Sequence, residues 1–220
     1  MKTDDNIYSL LTAGSYLLVG FRDKVRAWSW DSLGDGQDRH EPRWELPLLG
    51  RGEVNTMASL SEAGTNGMLV LGMGDNKVYL VDLETRAIVR TMSGHVGYIH
   101  SVDTCGVTVI ASGGEEGCVK LWDTAQQEAV HSMRPADDPD LGRPELGSHV
   151  SSVAVTGDWL VAGGGPVPAI WHLKSLALAT SLPCSDSEVK VVRFQEDTVM
   201  VAGRGRKLYQ VRNMLYSDLY

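Results

Sequence analysis

Within 22 residues lie the three types of a nucleophilic triad: His95, Ser112 and Glu116. In a hydrolase of this kind the imidazole takes the hydroxyl proton and the carboxylate holds the imidazole tautomer. That chemistry requires Ser112 at the rim of a cleft. Its surroundings predict something else. "VTVIASGG" (107–114) is an apolar run ending in small residues, and "CVKLWDT" (118–124) is a second apolar run. A Ser between two such strands is expected inside a sheet. A fourth residue, Trp122, supplies the other reading. His95 bonds Ser112, Ser112 reaches the indole N–H of Trp122, and Glu116 fixes His95. Such a chain satisfies polar groups that strand packing would otherwise bury unpaired. We adopt this structural network and assign no catalytic residue.

Other chemistry-bearing stretches give weaker signals. "GMGDN" (72–76), "GGEEG" (113–117) and "GRGRK" (203–207) are glycine-rich, but each falls between strands. No helix follows to aim its N-terminus at a phosphate. The six histidines, His40, His95, His100, His131, His149 and His172, lack zinc spacing. Asp137, Asp138 and Asp140 in "PADDPDLGRPE" (135–145) lack the spacing of a calcium loop and sit between prolines, as in a solvated loop. The expectation is no metal, no cofactor and no small-molecule ligand.

The chain has 220 residues, with 20 Lys and Arg against 28 Asp and Glu, a formal charge of −8. Nucleic-acid affinity rests mainly on phosphate neutralisation, so broad direct RNA binding is disfavoured. Arg204, Arg206 and Lys207 form one basic turn, read as solvated. The three cysteines, Cys105, Cys118 and Cys184, are odd in number and include no C-x-x-C. Buried reduced thiols in an intracellular compartment are expected. "MKTDDNIYSLL" has neither the basic region nor the apolar run of a signal peptide, and no apolar run approaches a membrane span.

The elements that position these residues recur along the chain. "YIHSV", "VTVIASGG" and "CVKLWDT" are three successive strands. "VNTMASL", "MLVLGMGDN", "KVYLVDLET" repeat the pattern, as do "VSSVAVTG", "WLVAGGG", "PAIWHLKS". Two further copies are "IYSLLTAG", "YLLVGFRD", "KVRAWSWDS" and "VKVVRFQED", "VMVAGRG", "KLYQVRN". The third-strand landmarks are Trp28, Val81, Trp122, Trp171 and Tyr209, spaced 53, 41, 49 and 38 residues. The mean, (209 − 28)/4 or about 45, is the period of a four-stranded propeller blade. The expected architecture is all-β, one propeller domain over 1–220. Repeats fall at about 7–31, 54–92, 94–133, 148–183 and 187–213, with loop insertions at 32–53 and 134–147. Loops on a rigid scaffold commonly carry recognition, so both insertions are candidates for partner contact. Trp44 stands out there, either as an anchor in a partner's pocket or as a plug against the chain's own blade.

Gly94-His95 and Trp122-Asp123 resemble the defining pairs of a WD repeat. Glu116 departs from that pattern, in which the turn acid is usually Asp. The other repeats are degenerate: Val81-Asp82 keeps the acid, Trp171-His172 the Trp, and Tyr209-Gln210 neither. A narrower resemblance is carried by "KVRAWSW" (24–30), "VDLETRAIVRTMSGHVGYIHSV" (81–102), "SGGEEGCVKLWDT" (112–124) and "DWLVAGGGPVPAIWHLKS" (158–175). These stretches look like the THO complex subunit 6 family. The resemblance implies a non-enzymatic WD40-type β-propeller in the THO core of the nuclear TREX assembly, which couples transcription and mRNA processing to mRNA export. It implies contacts with other THO subunits, mRNA met only through the complex, and no membrane. It also implies a ring of seven blades. About five four-stranded blades are visible, so either the ring is incomplete or "MLYSDLY" (214–220) closes a natural short form. Runner-up readings are a WD-repeat adaptor in another complex, such as a ubiquitin-ligase substrate receptor, a propeller hydrolase, and direct RNA binding.

Overall fold

The structure is a computed structural model that describes residues 5–34, 41–60, 67–184 and 187–212. Those residues form five antiparallel sheets, each built from consecutive strands. The first holds β1 (Ser9–Ala13), β2 (Tyr16–Gly20), β3 (Lys24–Ser29) and β4 (Trp44–Pro47), with one helical turn, Trp30–Leu33, between the last two. The second holds β5 (Val54–Leu60), β6 (Met68–Met73), β7 (Lys77–Asp82) and β8 (Ala87–Ser93). The third holds β9 (Ile99–Cys105), β10 (Val109–Gly114), β11 (Val119–Asp123) and β12 (Ala129–Met133). The fourth holds β13 (Val150–Thr156), β14 (Trp159–Gly164), β15 (Ala169–His172) and β16 (Leu178–Ser181). The fifth has three strands among the described residues, β17 (Val189–Gln195), β18 (Thr198–Gly203) and β19 (Leu208–Arg212). This is the meander of a WD40-type β-propeller, and the first strands, β1, β5, β9, β13 and β17, follow one another along its inner side.

Two repeated devices join the blades. The first is a small residue on the second strand. A Cβ on Gly72 would lie 2.7 Å from Ile99 Cγ2, and one on Gly113 2.5 Å from Val150 Cγ1. Glycine there lets the β-branched residue that opens the next blade pack against bare backbone. The second device is a hydroxyl on the first strand that bonds to the next blade's main chain. Ser9 Oγ donates to Val54 O at 2.5 Å, and Thr56 Oγ1 accepts from Val102 N at 3.2 Å. Ser101 Oγ accepts from Val153 N at 3.1 Å, and Ser152 Oγ from Val192 N at 3.0 Å. Strand register puts Val191 and Ala202 at the corresponding positions of the fifth blade. Around these joints the cores are continuous from blade to blade: Val25, Leu46 and Leu48 pack with Val54, Leu69 and Tyr79, for example.

Three expectations are corrected. The 32–53 stretch is not wholly an insertion, because β4 lies inside it and pairs with β3, Ala27 opposite Trp44. Its Gly, Pro and charge content hid an outer strand only four residues long. The 134–147 stretch is not a free loop. Pro135 and Leu141 are buried, and two 3-10 turns (Pro135–Asp137 and Pro144–Leu146) fold it onto the fourth blade. The landmark of the fifth blade is Val211, which faces Val199 as Trp171 faces Leu160. Tyr209 instead takes the place that Tyr79 has in the second blade, opposite Val201 as Tyr79 is opposite Leu71. The "MLYSDLY" segment and His40 lie outside the described residues. No helix among the described residues is long and apolar enough to cross a membrane.

Candidate functional site

The third blade brings together the four side chains named from the sequence. His95 lies in the loop before β9, Ser112 on β10, Glu116 in the β10–β11 turn and Trp122 on β11. His95 Nε2 lies 2.6 Å from Ser112 Oγ, which accepts the Trp122 indole N–H at 2.8 Å. His95 Nδ1 meets Glu116 Oε1 in a close contact. One proton arrangement satisfies all of them. A neutral His95 donates Nδ1–H to Glu116 and accepts the Ser112 hydroxyl, whose oxygen accepts the indole. Burial pushes the His95 pKa below its ordinary value and outweighs the opposing pull of Glu116. The glycine of the Gly-His pair has a steric cause: a Cβ on Gly94 would lie 3.3 Å from Trp122 Cη2. The indole therefore slides beneath the loop that carries His95.

Ser112 is fully buried and His95 nearly so, at 0% and 7% exposure. A nucleophile must meet its substrate, and this hydroxyl faces an indole and an imidazole instead. The arrangement pins the loop 94–98 to the blade. The second oxygen of Glu116, Oε2, is buried without a hydrogen-bond partner among the described residues.

The fourth blade holds a residue that sequence reading missed. Arg143 is 8% exposed and donates only to main-chain carbonyls in the bonds that follow. Its Nε reaches Gly165 O at 2.8 Å, and one terminal nitrogen reaches Pro166 O at 2.9 Å and Gly164 O at 3.4 Å. The other spans to Cys184 O and Ser187 O, each at 3.3 Å. The Gly-Gly-Gly-Pro turn is thus the acceptor face of a buried guanidinium. Glycine is needed there because a Cβ on Gly164 or Gly165 would lie 2.1 Å from a carbonyl oxygen of the 134–149 segment. No side-chain motif announces such a clamp. The nearest sequence signal is an Arg among glycines and prolines just before the blade.

Trp44 is half-buried on β4. Its ring meets Tyr16 edge to face at 6.3 Å, and the Arg86 guanidinium of the second blade lies 5.8 Å from it. That position joins two blades of this chain. Of the remaining candidates, Arg134 pairs loosely with Asp137 at 3.7 Å, and Asp138 caps the Asp140 N–H at 2.9 Å. No group of three or more His, Cys, Asp or Glu among the described residues is arranged to hold a metal. Arg204 lies over Glu188 at 3.5 Å. Of the cysteines only Cys184 is fully buried; Cys105 and Cys118 are half-buried, and all three are free thiols.

The inner end of the blades, where the first strands begin, carries a cluster with no sequence motif. His149 Nε2 bonds Glu188 Oε1 at 2.7 Å, and Lys190 also contacts that carboxylate. The Lys190 ammonium, then the His149 hydrogen bond, hold the Glu188 carboxyl below its ordinary pKa. His100 Nε2 bonds Glu115 Oε2 at 2.5 Å.

No family model matches the chain. It is similar to THO complex subunit 6 of Drosophila melanogaster, 38% identical over 222 residues, covering 99% of this chain and 63% of that protein. It is similar to THO complex subunit 6 of Homo sapiens, 31% identical over 208 residues, covering 94% and 61%. A more distant likeness is to WD repeat-containing protein 55 of Arabidopsis thaliana, 28% identical over 144 residues, covering 64% and 36%. The chain spans about three-fifths of the length of the THO complex subunit 6 proteins it matches.

Proposed function

The chain belongs to the THO complex subunit 6 family of WD-repeat proteins, and from that premise we propose that it is a non-catalytic scaffold subunit of a THO complex. In this reading its partners are the other THO subunits, its compartment is the nucleus, and the assembly it joins couples transcription and mRNA processing to mRNA export. It meets mRNA through the complex rather than directly. The observation that carries the reading is similarity along nearly the whole chain to proteins named as THO complex subunit 6. The buried placement of Ser112 supports a scaffold over a hydrolase, and the formal charge of −8 supports protein over RNA as the direct partner.

The test is a tagged pull-down from nuclear extract with partners identified by mass spectrometry. Recovery of the other THO subunits in near-equal amounts is the expected result. A folded, soluble chain that recovers none of them, or recovers ubiquitin-ligase subunits instead, overturns the reading. Direct affinity for bare RNA that falls steeply with salt would overturn the assignment of mRNA as an indirect partner.

A further inference from the structure

A cleft of about 410 Å³ opens where the first, second and third blades begin, lined by Tyr8, Glu53, Asn55, Tyr98 and His100. Its chemistry is specific. Tyr8 and Tyr98 are 41% and 57% exposed, so two aromatic side chains are presented to solvent on one cavity. Glu53 adds a carboxylate. Its ionic neighbour among the described residues, Arg22, stands 3.9 Å away with its side chain 71% exposed. A loose surface pair of that kind contributes little, and an incoming cation can replace it. No Lys or Arg lines the cleft among the described residues, while Glu115, bonded to His100, adds a second carboxylate close by.

The lining is held in place before any ligand arrives. Tyr98 ends the loop that His95 pins to Ser112 and Glu116, and its carbonyl accepts the Glu115 N–H at 2.8 Å. Asn55 Nδ2 donates to Ile99 O at 3.1 Å, which ties the second blade's wall to the third's. Beside the cleft on the same pinned loop, Val96 is 80% exposed, an apolar contact for the residues flanking an inserted side chain. A second cavity of about 450 Å³ shares His100 and continues past Glu115, His149, Ser151, Glu188 and Lys190. The two together form a groove across the blades, aromatic and acidic at one end and ion-paired at the other.

We infer that this cleft binds a cationic side chain, arginine or lysine, of a linear protein segment, with the cation between Tyr8 and Tyr98 and against Glu53. Aromatic faces and a carboxylate attract a guanidinium or ammonium by separate physical terms, cation–π attraction and a charge-assisted hydrogen bond. The net charge of −8 favours approach of a basic segment. Because the supporting loop is already ordered, binding does not have to order it.

The experiment uses the full chain and an array of nine-residue peptides with arginine, lysine, citrulline or glutamate fixed at the centre and mixed residues around it. Retention of the arginine and lysine sets over the citrulline and glutamate sets is expected. Individual hits measured by fluorescence anisotropy should weaken about tenfold with Glu53→Gln and with Tyr98→Ala, within the range of one charge-assisted hydrogen bond or one cation–π contact. Both positions are partly exposed, so melting temperatures should not move. Glu128→Gln, on an exposed turn of the third blade, should leave binding unchanged. Equal retention of arginine and citrulline sets, no retention of any set, or hits indifferent to Glu53→Gln would overturn the inference. It does not rest on complex membership: a chain that recovers THO subunits but ignores the charge of the central residue fails here alone.

Discussion

The third and fourth blades solve one problem with different chemistry. In each, a segment crosses the second-to-third strand turn and the polar groups it buries need partners, which all but Glu116 Oε2 of the third-blade network find. The third blade uses side chains, Glu116 to His95 to Ser112 to Trp122. In the fourth, Ala162 stands where the third has Ser112, so its Trp171 has no hydroxyl there to bond. A guanidinium from outside the sheet, Arg143, takes over and bonds carbonyls of both the turn and the connection to the next blade. The lesson is that a repeat keeps its joint geometry while the atoms satisfying it change from side chain to main chain.

The sharpest way to break the comparison is at Arg143. Arg143→Met removes the five donor contacts described above and leaves buried carbonyls without partners, so a loss of about 3–5 kcal/mol is expected in urea unfolding. Arg143→Lys should recover only part of it, since an ammonium cannot span a fork of acceptors. A variant as stable as wild type would mean that the 134–147 segment contributes little to the fold.

The corresponding change in the third blade should cost less. His95→Ala leaves Glu116 and Ser112 buried but removes a neutral group, for an expected loss of about 2–3 kcal/mol. Ser112→Ala combined with it should cost less than the two losses added, because the residues act as one network. A pH signature separates this blade from the fourth. The folded state holds His95 below its ordinary pKa of 6.5, so the unfolded chain binds more protons. This contribution to stability is therefore complete above about pH 6.5 and declines as pH falls through it. Melting from pH 7.5 down to 5.5 should show a steeper fall for wild type than for His95→Gln. Parallel curves would mean that His95 takes up its proton as readily in the fold as in the unfolded chain, and a shallower fall for wild type would mean that the fold holds it charged.

Trp44 gives a smaller test, at the seam of the first and second blades. Half-buried between Tyr16 and Arg86, it should lose about 2 kcal/mol in Trp44→Ala, roughly half the value of a fully buried aromatic. Partner recovery in the pull-down should persist. Unchanged melting with lost partners would favour the anchor reading over the plug.

These residues also mark what a sequence can disclose. The blades were legible because turn glycines and alternating apolar runs are local, and the third-blade network because every member is a distinctive side chain at a regular offset. Arg143 was not, since its acceptors are carbonyls, which every residue has. The cleft was not, because Tyr8, Glu53 and Tyr98 come from three repeats and meet only when the blades stack. Tyr209 misled because its size outweighed register: only the pairing of Val199 with Val211 identifies the landmark.

The smallest expected effect lies in the fifth blade's hairpin, set against the fourth's. Both join their first two strands with two residues, Gly157-Asp158 in one and Glu196-Asp197 in the other. Both open with a left-handed residue, at φ +54° in each case. Glycine takes that conformation freely, whereas a glutamate there holds its Cβ against the following carbonyl, at about 1–2 kcal/mol. Glu196→Gly relieves this strain but adds backbone freedom to the unfolded chain, which offsets part of the gain. The net expectation is a stabilisation of about 0.5–1 kcal/mol and a melting temperature a few degrees higher. The mirror change, Gly157→Glu, should destabilise by a similar amount. If both substitutions prove neutral, the two hairpins relax their turns in solution, and the match in their backbone angles is not a constraint on either blade.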